Sequence, residues 1–207
     1  TSASFCNVIQ NLPKISKLSI GSKFLFEEVQ DPDYPELSLI TAKFPEFPNL
    51  TDVSFNFLKN GAFLSNMNWQ TSYVHLNLTS TEVRDSDLQV ICTHCSNLES
   101  LQLQQCSLIT SDGVELVSQL QNLKSLDISK CVRLLSANID CPSLETLTCI
   151  WNIRMTDLTF SSPLVTIDVS GCTTLFQLKD CIKLFGENLE NIWARGVLLE
   201  DDFIAVV

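Results

Sequence analysis

One short pattern recurs along this chain and limits what it can fold into. It reads apolar-x-x-apolar-x-apolar, then, after two further residues, a small or polar side chain. The clear copies begin at Leu98 (Leu98, Leu101, Leu103, Cys106), Leu123 (Leu123, Leu126, Ile128, Cys131), Leu144 (Leu144, Leu147, Cys149, Asn152) and Leu164 (Leu164, Ile167, Val169, Cys172). Weaker copies begin at Ile15, Leu50, Tyr73 and Leu189. Successive starts are 35, 23, 25, 25, 21, 20 and 25 residues apart. A period in the twenties is the mark of stacked coils, because one coil cannot bury its apolar face alone. Alternation over apolar-x-apolar sends two side chains to the interior of a strand and the residue between them to the other face. This demand for interior side chains accounts for the 31 Leu among 207 residues. The small or polar ninth position falls where the chain leaves the strand and turns. A side chain able to bond backbone groups suits that buried place.

The segments between strands carry helix signals. Ser86 to Gln89 fits a capping box ahead of Leu88, Val90, Ile91 and Cys95, and Asp112 to Glu115 does the same ahead of Leu116, Val117 and Leu120. Ser136–Ser143 and Ile153–Pro163 are too short for three helical turns plus connections, so 3₁₀ or extended structure is expected there. Thr1–Leu12 and Asp202–Val207 read as helices of incomplete coils. The long interval, around 21–49, holds Pro32, Pro35, Pro45 and Pro48 and five acids (Glu27, Glu28, Asp31, Asp33, Glu36) with no base between Lys23 and Lys43. It reads as an irregular acidic insertion in one coil, with a short helix near Glu36–Lys43.

Val83–Leu88 followed by Cys95–Cys106, and Ile109–Val114 running into Leu126–Cys131, resemble the cysteine-containing class of leucine-rich repeats. Cys141–Leu144 and Met155–Leu158 echo both halves of that motif. The resemblance implies an α/β fold: a right-handed leucine-rich-repeat solenoid of about eight coils over 1–207, a single domain. A curved parallel sheet would form its concave face, with a helical and irregular convex side. This repeat class occurs in the substrate-recognition domains of F-box ubiquitin-ligase subunits, so the resemblance also implies a protein-recognition role, as in a ligase receptor. No F-box is found in the chain, and its ends lack polar caps, so a fragment of a longer solenoid is expected. The alternative is a structural or inhibitory repeat module within a larger assembly, for instance a cytoskeletal one.

Charge narrows the partner. With 13 Lys and Arg against 24 Asp and Glu, the net charge of −11 opposes binding to nucleic acid or to an anionic membrane. A protein partner with a basic or aromatic segment is the easier match. Nine Cys, an odd number spaced by the repeat, point to reduced thiols and a cytoplasmic or nuclear, reducing compartment. The sequons at Asn49 and Asn77 are then chance occurrences. Cys92-Thr-His-Cys95 is the one arrangement suggestive of metal or redox chemistry, but zinc needs four ligands and repeat packing explains both thiols. His75 falls on the strand's outward face. Six Gly, no phosphate loop and no nucleophile motif argue against an enzyme, a metal or a cofactor.

Repeat proteins usually bind on the concave face. Alternation predicts a central outward column of Ser19, Ser54, Asn77, Gln102, Asp127, Thr148, Asp168 and Trp193. A second column is Gly21, Asn56, Thr79, Gln104, Ser129, Ile150, Ser170 and Arg195, and a third contains Phe57, Lys130 and Trp151. The expected partner-binding residues are Asn77, Gln102, Gln104, Asp127, Lys130, Ile150, Trp151, Asp168, Trp193 and Arg195. Trp151, Trp193 and Arg195 are the expected hot spot, since exposed aromatics and arginine anchor interfaces. Trp69, just before a strand, reads as core.

Overall fold

The structure, a computed structural model, describes residues 12, 14–21, 46–57, 64, 67–175 and 186–197. The expected terminal helices, most of the acidic insertion and the short helix expected within it lie outside the described residues. Each copy of the repeat becomes one strand: β1 (Lys17–Gly21), β2 (Asp52–Asn56), β3 (His75–Asn77), β4 (Ser100–Gln102), β5 (Ser125–Asp127), β7 (Thr146–Thr148), β9 (Thr166–Asp168) and β10 (Asn191–Trp193). Among the described residues these eight form one parallel sheet in the order β1-β2-β3-β4-β5-β7-β9-β10. This is the solenoid sheet that the repeat spacing predicts.

Register follows the alternation. Ser19, Ser54, Asn77, Gln102, Asp127, Thr148, Asp168 and Trp193 stand directly opposite one another across the sheet. Their neighbours Leu76, Leu101, Leu126, Leu147 and Ile167 form the inner ladder, all buried. The flanking apolar positions, such as Leu98, Leu103, Leu123, Ile128, Leu144 and Val169, are fully buried beside them. Burial of this kind contributes about 1.5–3 kcal/mol per large aliphatic side chain. Trp69 is buried, edge-on to Tyr73 with ring centroids 6.5 Å apart.

The convex side changes character along the chain. Behind β3 runs α1 (Asp85–His94), and behind β4 runs α2 (Ser111–Glu115), continued by a 3₁₀ turn over Leu116–Gln119. Behind β5 and β7 the short returns are extended, as expected: β6 (Ser136–Ile139) and β8 (Asp157–Phe160) pair in parallel as a second sheet. The junction between helical and extended returns is sealed by serines of the helical coil. Ser111 Oγ accepts from the Leu135 and Ser136 amides (3.3 and 3.0 Å), and Ser118 Oγ accepts from Asp140 N–H (3.1 Å).

The helix starts differ from the expected boxes. In α1 the capping position is Arg84, whose N–H donates to Asp87 Oδ2 at 2.9 Å, two residues earlier than the Ser86–Gln89 box. In this coil Val90 faces outward, while Leu88, Ile91, Cys92 and Cys95 are buried. In α2 the capping position is Thr110, and its orphan N–H is bonded from the neighbouring coil. Asp85 accepts Thr110 N–H (2.9 Å) and Thr110 Oγ1–H (2.7 Å), tying the start of α1 to that of α2. Gly113 leaves room for this carboxylate, because a Cβ there would lie 2.0 Å from Asp85 Oδ1. Gly113→Ala is therefore expected to destabilise the domain by about 2 kcal/mol, as overpacking does. In an Asp85→Ala background most of that penalty should vanish, and urea midpoints of the four proteins in the cycle measure it.

Candidate partner-binding surface

The concave surface is built by what happens just after each strand. The hydrogen-bond ladder continues past the strands into a left-handed residue, one in each coil where this position is described. Phe57, Ser80, Gln105, Lys130 and Trp151 have φ between 58° and 62°, and Gly171 and Gly196 have φ of 78° and 73°. The amide of each of the first six donates to a carbonyl of the next coil: Phe57 to Thr79, Ser80 to Gln104, Gln105 to Ser129, Lys130 to Ile150, Trp151 to Ser170 and Gly171 to Arg195, at 2.7–3.0 Å. The left-handed turn costs a non-glycine residue about 1–2 kcal/mol. It is held by these bonds and ends the strand while keeping coil contact.

The turn leaves the preceding amide in need of an acceptor. Asn77, Asp127 and Asp168 supply it, their Oδ1 atoms accepting Thr79, Ser129 and Ser170 N–H at 2.9, 2.8 and 2.9 Å. Thr148 and Trp193 stand at the same position in their coils. There a serine of the preceding coil substitutes, Ser129 Oγ for Ile150 N–H (3.0 Å) and Ser170 Oγ for Arg195 N–H (3.3 Å). One expectation changes accordingly. Ser129, placed by alternation in an outward column, is buried, because its hydroxyl serves the next coil. Asn77, Asp127 and Asp168, expected to face a partner, are half-buried and each commits one oxygen to its own turn.

The ninth position closes the turn from below. Cys106, Cys131 and Cys172 Sγ donate to the carbonyls of Leu78, Leu103 and Cys149 in the preceding coil, at 3.1, 3.2 and 2.9 Å. Asn152 does more: Nδ2 donates to Ile128 O and Cys149 O (3.0 Å each), and Oδ1 accepts Cys131 N–H (2.8 Å).

The expected residues fall into two hollows and a polar stretch between them. Asn77 and Gln102 border a hollow of about 470 Å³ over β1 to β4. At its edge Lys17 pairs with Asp52 (3.1 Å). A hydrogen bond from Thr51, with Lys17 and His75 nearby, holds the Asp52 carboxyl below its ordinary value. His75 is exposed, as read from the sequence. Gln104, half-buried, Asp127, and Lys130, exposed, lie outside both hollows. Ile150, Trp151, Asp168, Trp193 and Arg195 converge on the second hollow, of about 670 Å³. Trp151 is 56% exposed and Trp193 43% exposed. Trp151 lies against Gly171, where an added Cβ would come within 2.7 Å of the indole. The missing side chain on one coil thus seats the aromatic ring of the previous one.

The thiols are structural. The seven described cysteines are free and buried. Burial pushes Cys92, Cys95 and Cys141 up to about 12 and Cys106 and Cys172 up to about 11, and carries Cys131 and Cys149 in the same direction. Thiols so disfavoured as thiolates are poor nucleophiles and poor metal ligands. His94, between Cys92 and Cys95, is exposed, with Nδ1 2.8 Å from Val90 O. Among the described residues no three His, Cys, Asp or Glu side chains group in a way that could hold a metal ion.

Alternation missed a ridge beside the second hollow. Val132, Arg133, Ile153 and Arg154 are all exposed, next to Lys130 and Trp151. The signal was present: Cys131-Val-Arg-Leu134 and Asn152-Ile-Arg-Met155 repeat one pattern, with two outward residues between two buried ones.

A chain of the structure described as the Toll–Spatzle complex, a molecular hub in Drosophila development and innate immunity, is similar at 13% identity and a TM-score of 0.34. The likeness covers 76% of this chain and 29% of that one. No curated protein sequence matches. The family model described as At1g61320/AtMIF1, LRR domain, matches residues 53–191, well over half of the 207. The chain belongs to this leucine-rich-repeat family.

Proposed function

We propose that this domain recognises a protein partner through the second hollow of its concave face. Leucine-rich-repeat domains are interaction modules, typically without catalysis, and their extended concave surfaces serve binding. The observation that carries the reading is the pair of exposed tryptophans, Trp151 and Trp193, facing one hollow with Arg195. Large exposed aromatics with one ring seated on a glycine lose little freedom on binding. The partner contributes an aromatic or apolar side chain to the hollow, and a basic group to the remaining carboxylate oxygens of Asp168 and Asp127. Trp151→Ala and Trp193→Ala should each weaken that complex by about 2 kcal/mol, or roughly thirtyfold. Titration calorimetry with a captured partner measures this. Unchanged affinity in both variants, with the fold intact by circular dichroism, removes the hollow from the interface.

The finer reading is a substrate receptor of a ubiquitin ligase in a reducing, cytoplasmic or nuclear compartment. Its support is the cysteine-containing repeat class together with buried, unpaired thiols. It requires an F-box-like helical segment joined to this domain in the native chain. Intact mass and terminal peptides of the native protein decide that point.

A further inference from the structure

We infer that the ridge of Lys130, Val132, Arg133, Ile153 and Arg154 is a second docking surface, for an acidic segment of a partner protein carrying aliphatic or aromatic side chains between its carboxylates. The surface is distinct from the tryptophan hollow: Lys130 and the two arginines do not line it. It arises from two adjacent coils. In each, a buried ninth residue (Cys131, Asn152) and a buried apolar residue (Leu134, Met155) pin the turn, and the two residues between them must face solvent. Val132 is 47% exposed and Ile153 49%. Adjacent coils lie about 4.8 Å apart. Arg133 and Arg154, at matching positions, therefore set two like charges side by side, and Lys130 adds a third.

No ion pair among the described residues involves them. The ion pairs there are Lys17–Asp52 and Lys124–Glu99, and none of the three ridge cations takes part. In a chain of net charge −11, three cations on two turns, unpaired among the described residues, form a local positive field against the general sign. Clustered like charges repel one another, and an anionic ligand relieves that repulsion. Val132 and Ile153 between the cations favour a peptide over a nucleic acid, since a phosphate backbone offers them nothing to bury against. The acidic remainder of the chain also repels a long polyanion.

The test uses a fluorescein-labelled ten-residue peptide alternating Glu with Leu or Phe. Anisotropy at about 150 mM salt should show saturable binding that weakens steeply toward 500 mM. A matched peptide with Lys for Glu should not bind. Arg133→Glu with Arg154→Glu should weaken the acidic peptide at least tenfold, and Arg154→Gln alone about threefold. Trp193→Ala should leave it unchanged, so that failure of this surface and failure of the hollow read out separately. These side chains are exposed, so thermal unfolding of the variants should match the parent. The inference is overturned if the acidic peptide does not bind at millimolar concentration, if the Lys peptide binds equally, if the arginine variants bind like the parent, or if a single-stranded oligonucleotide binds the ridge as tightly.

Discussion

Raising the pH from 8 to about 10 should unfold this domain cooperatively, with a loss of stability of the order of 10 kcal/mol. The sign follows from the thiols. Burial raises their folded-state values from the ordinary 9.0 to about 11 or 12 or further in the same direction. The folded state therefore keeps its thiol protons where the unfolded chain has lost them. Stability is fully present below pH 9 and falls as pH rises through the window between the unfolded and folded values. At pH 10 each group contributes a loss on the order of 1 kcal/mol. Seven such thiols are described. Tyr73, raised by burial and by Cys95, adds to the loss at still higher pH. The sum equals the whole stability of an ordinary domain, about 5–15 kcal/mol. Far-ultraviolet circular dichroism against pH, in reductant, checks it. A midpoint above pH 11 would show that the thiols titrate without unfolding the chain.

Asn152→Leu should cost about 4 kcal/mol. It leaves Ile128 O and Cys131 N–H without their partner in the interior, while Cys149 O keeps its bond from Cys172 Sγ. Each buried orphan costs roughly 1–3 kcal/mol. Asn152→Cys should cost about half as much, because Cys at this position in other coils reaches back to the preceding carbonyl. Urea denaturation separates the two. Equal losses in both variants would mean that volume, not hydrogen bonding, governs the site.

The solenoid was legible because alternation and a fixed period act on every coil alike. One outward column read from the sequence stands in register across all eight strands. Exposure of Trp151 and Trp193 followed from the same count. Alternation could not reveal obligations that arise between coils. Whether Asp127 serves a partner or the Ser129 amide depends on a left-handed residue that no local pattern announces. The burial of Ser129 depends on the absence of an Asx residue at Thr148, one coil away. The α1 cap at Arg84 was hidden because its partner Asp87 also fitted the interior of the expected box. The ridge at Arg133 and Arg154 lay just outside the strand positions to which the period-two count applies.

The switch from helical to extended returns also fixes the shape of the arc. Helices pack about 8–10 Å apart, whereas neighbouring strands lie about 4.8 Å apart. Coils backed by α1 and α2 are wedges, thicker behind than in front. Coils backed by the paired β6 and β8 are bricks, equally thick on both sides. A wall laid from wedges bends, and one laid from bricks runs straight. Among the described residues the curvature is therefore concentrated in the coils backed by helices, and Trp151, on the coil backed by β8, stands on the straighter course. A rounded partner that nests in the bend will touch that course only at a tangent, while a flat or extended one can lie along it.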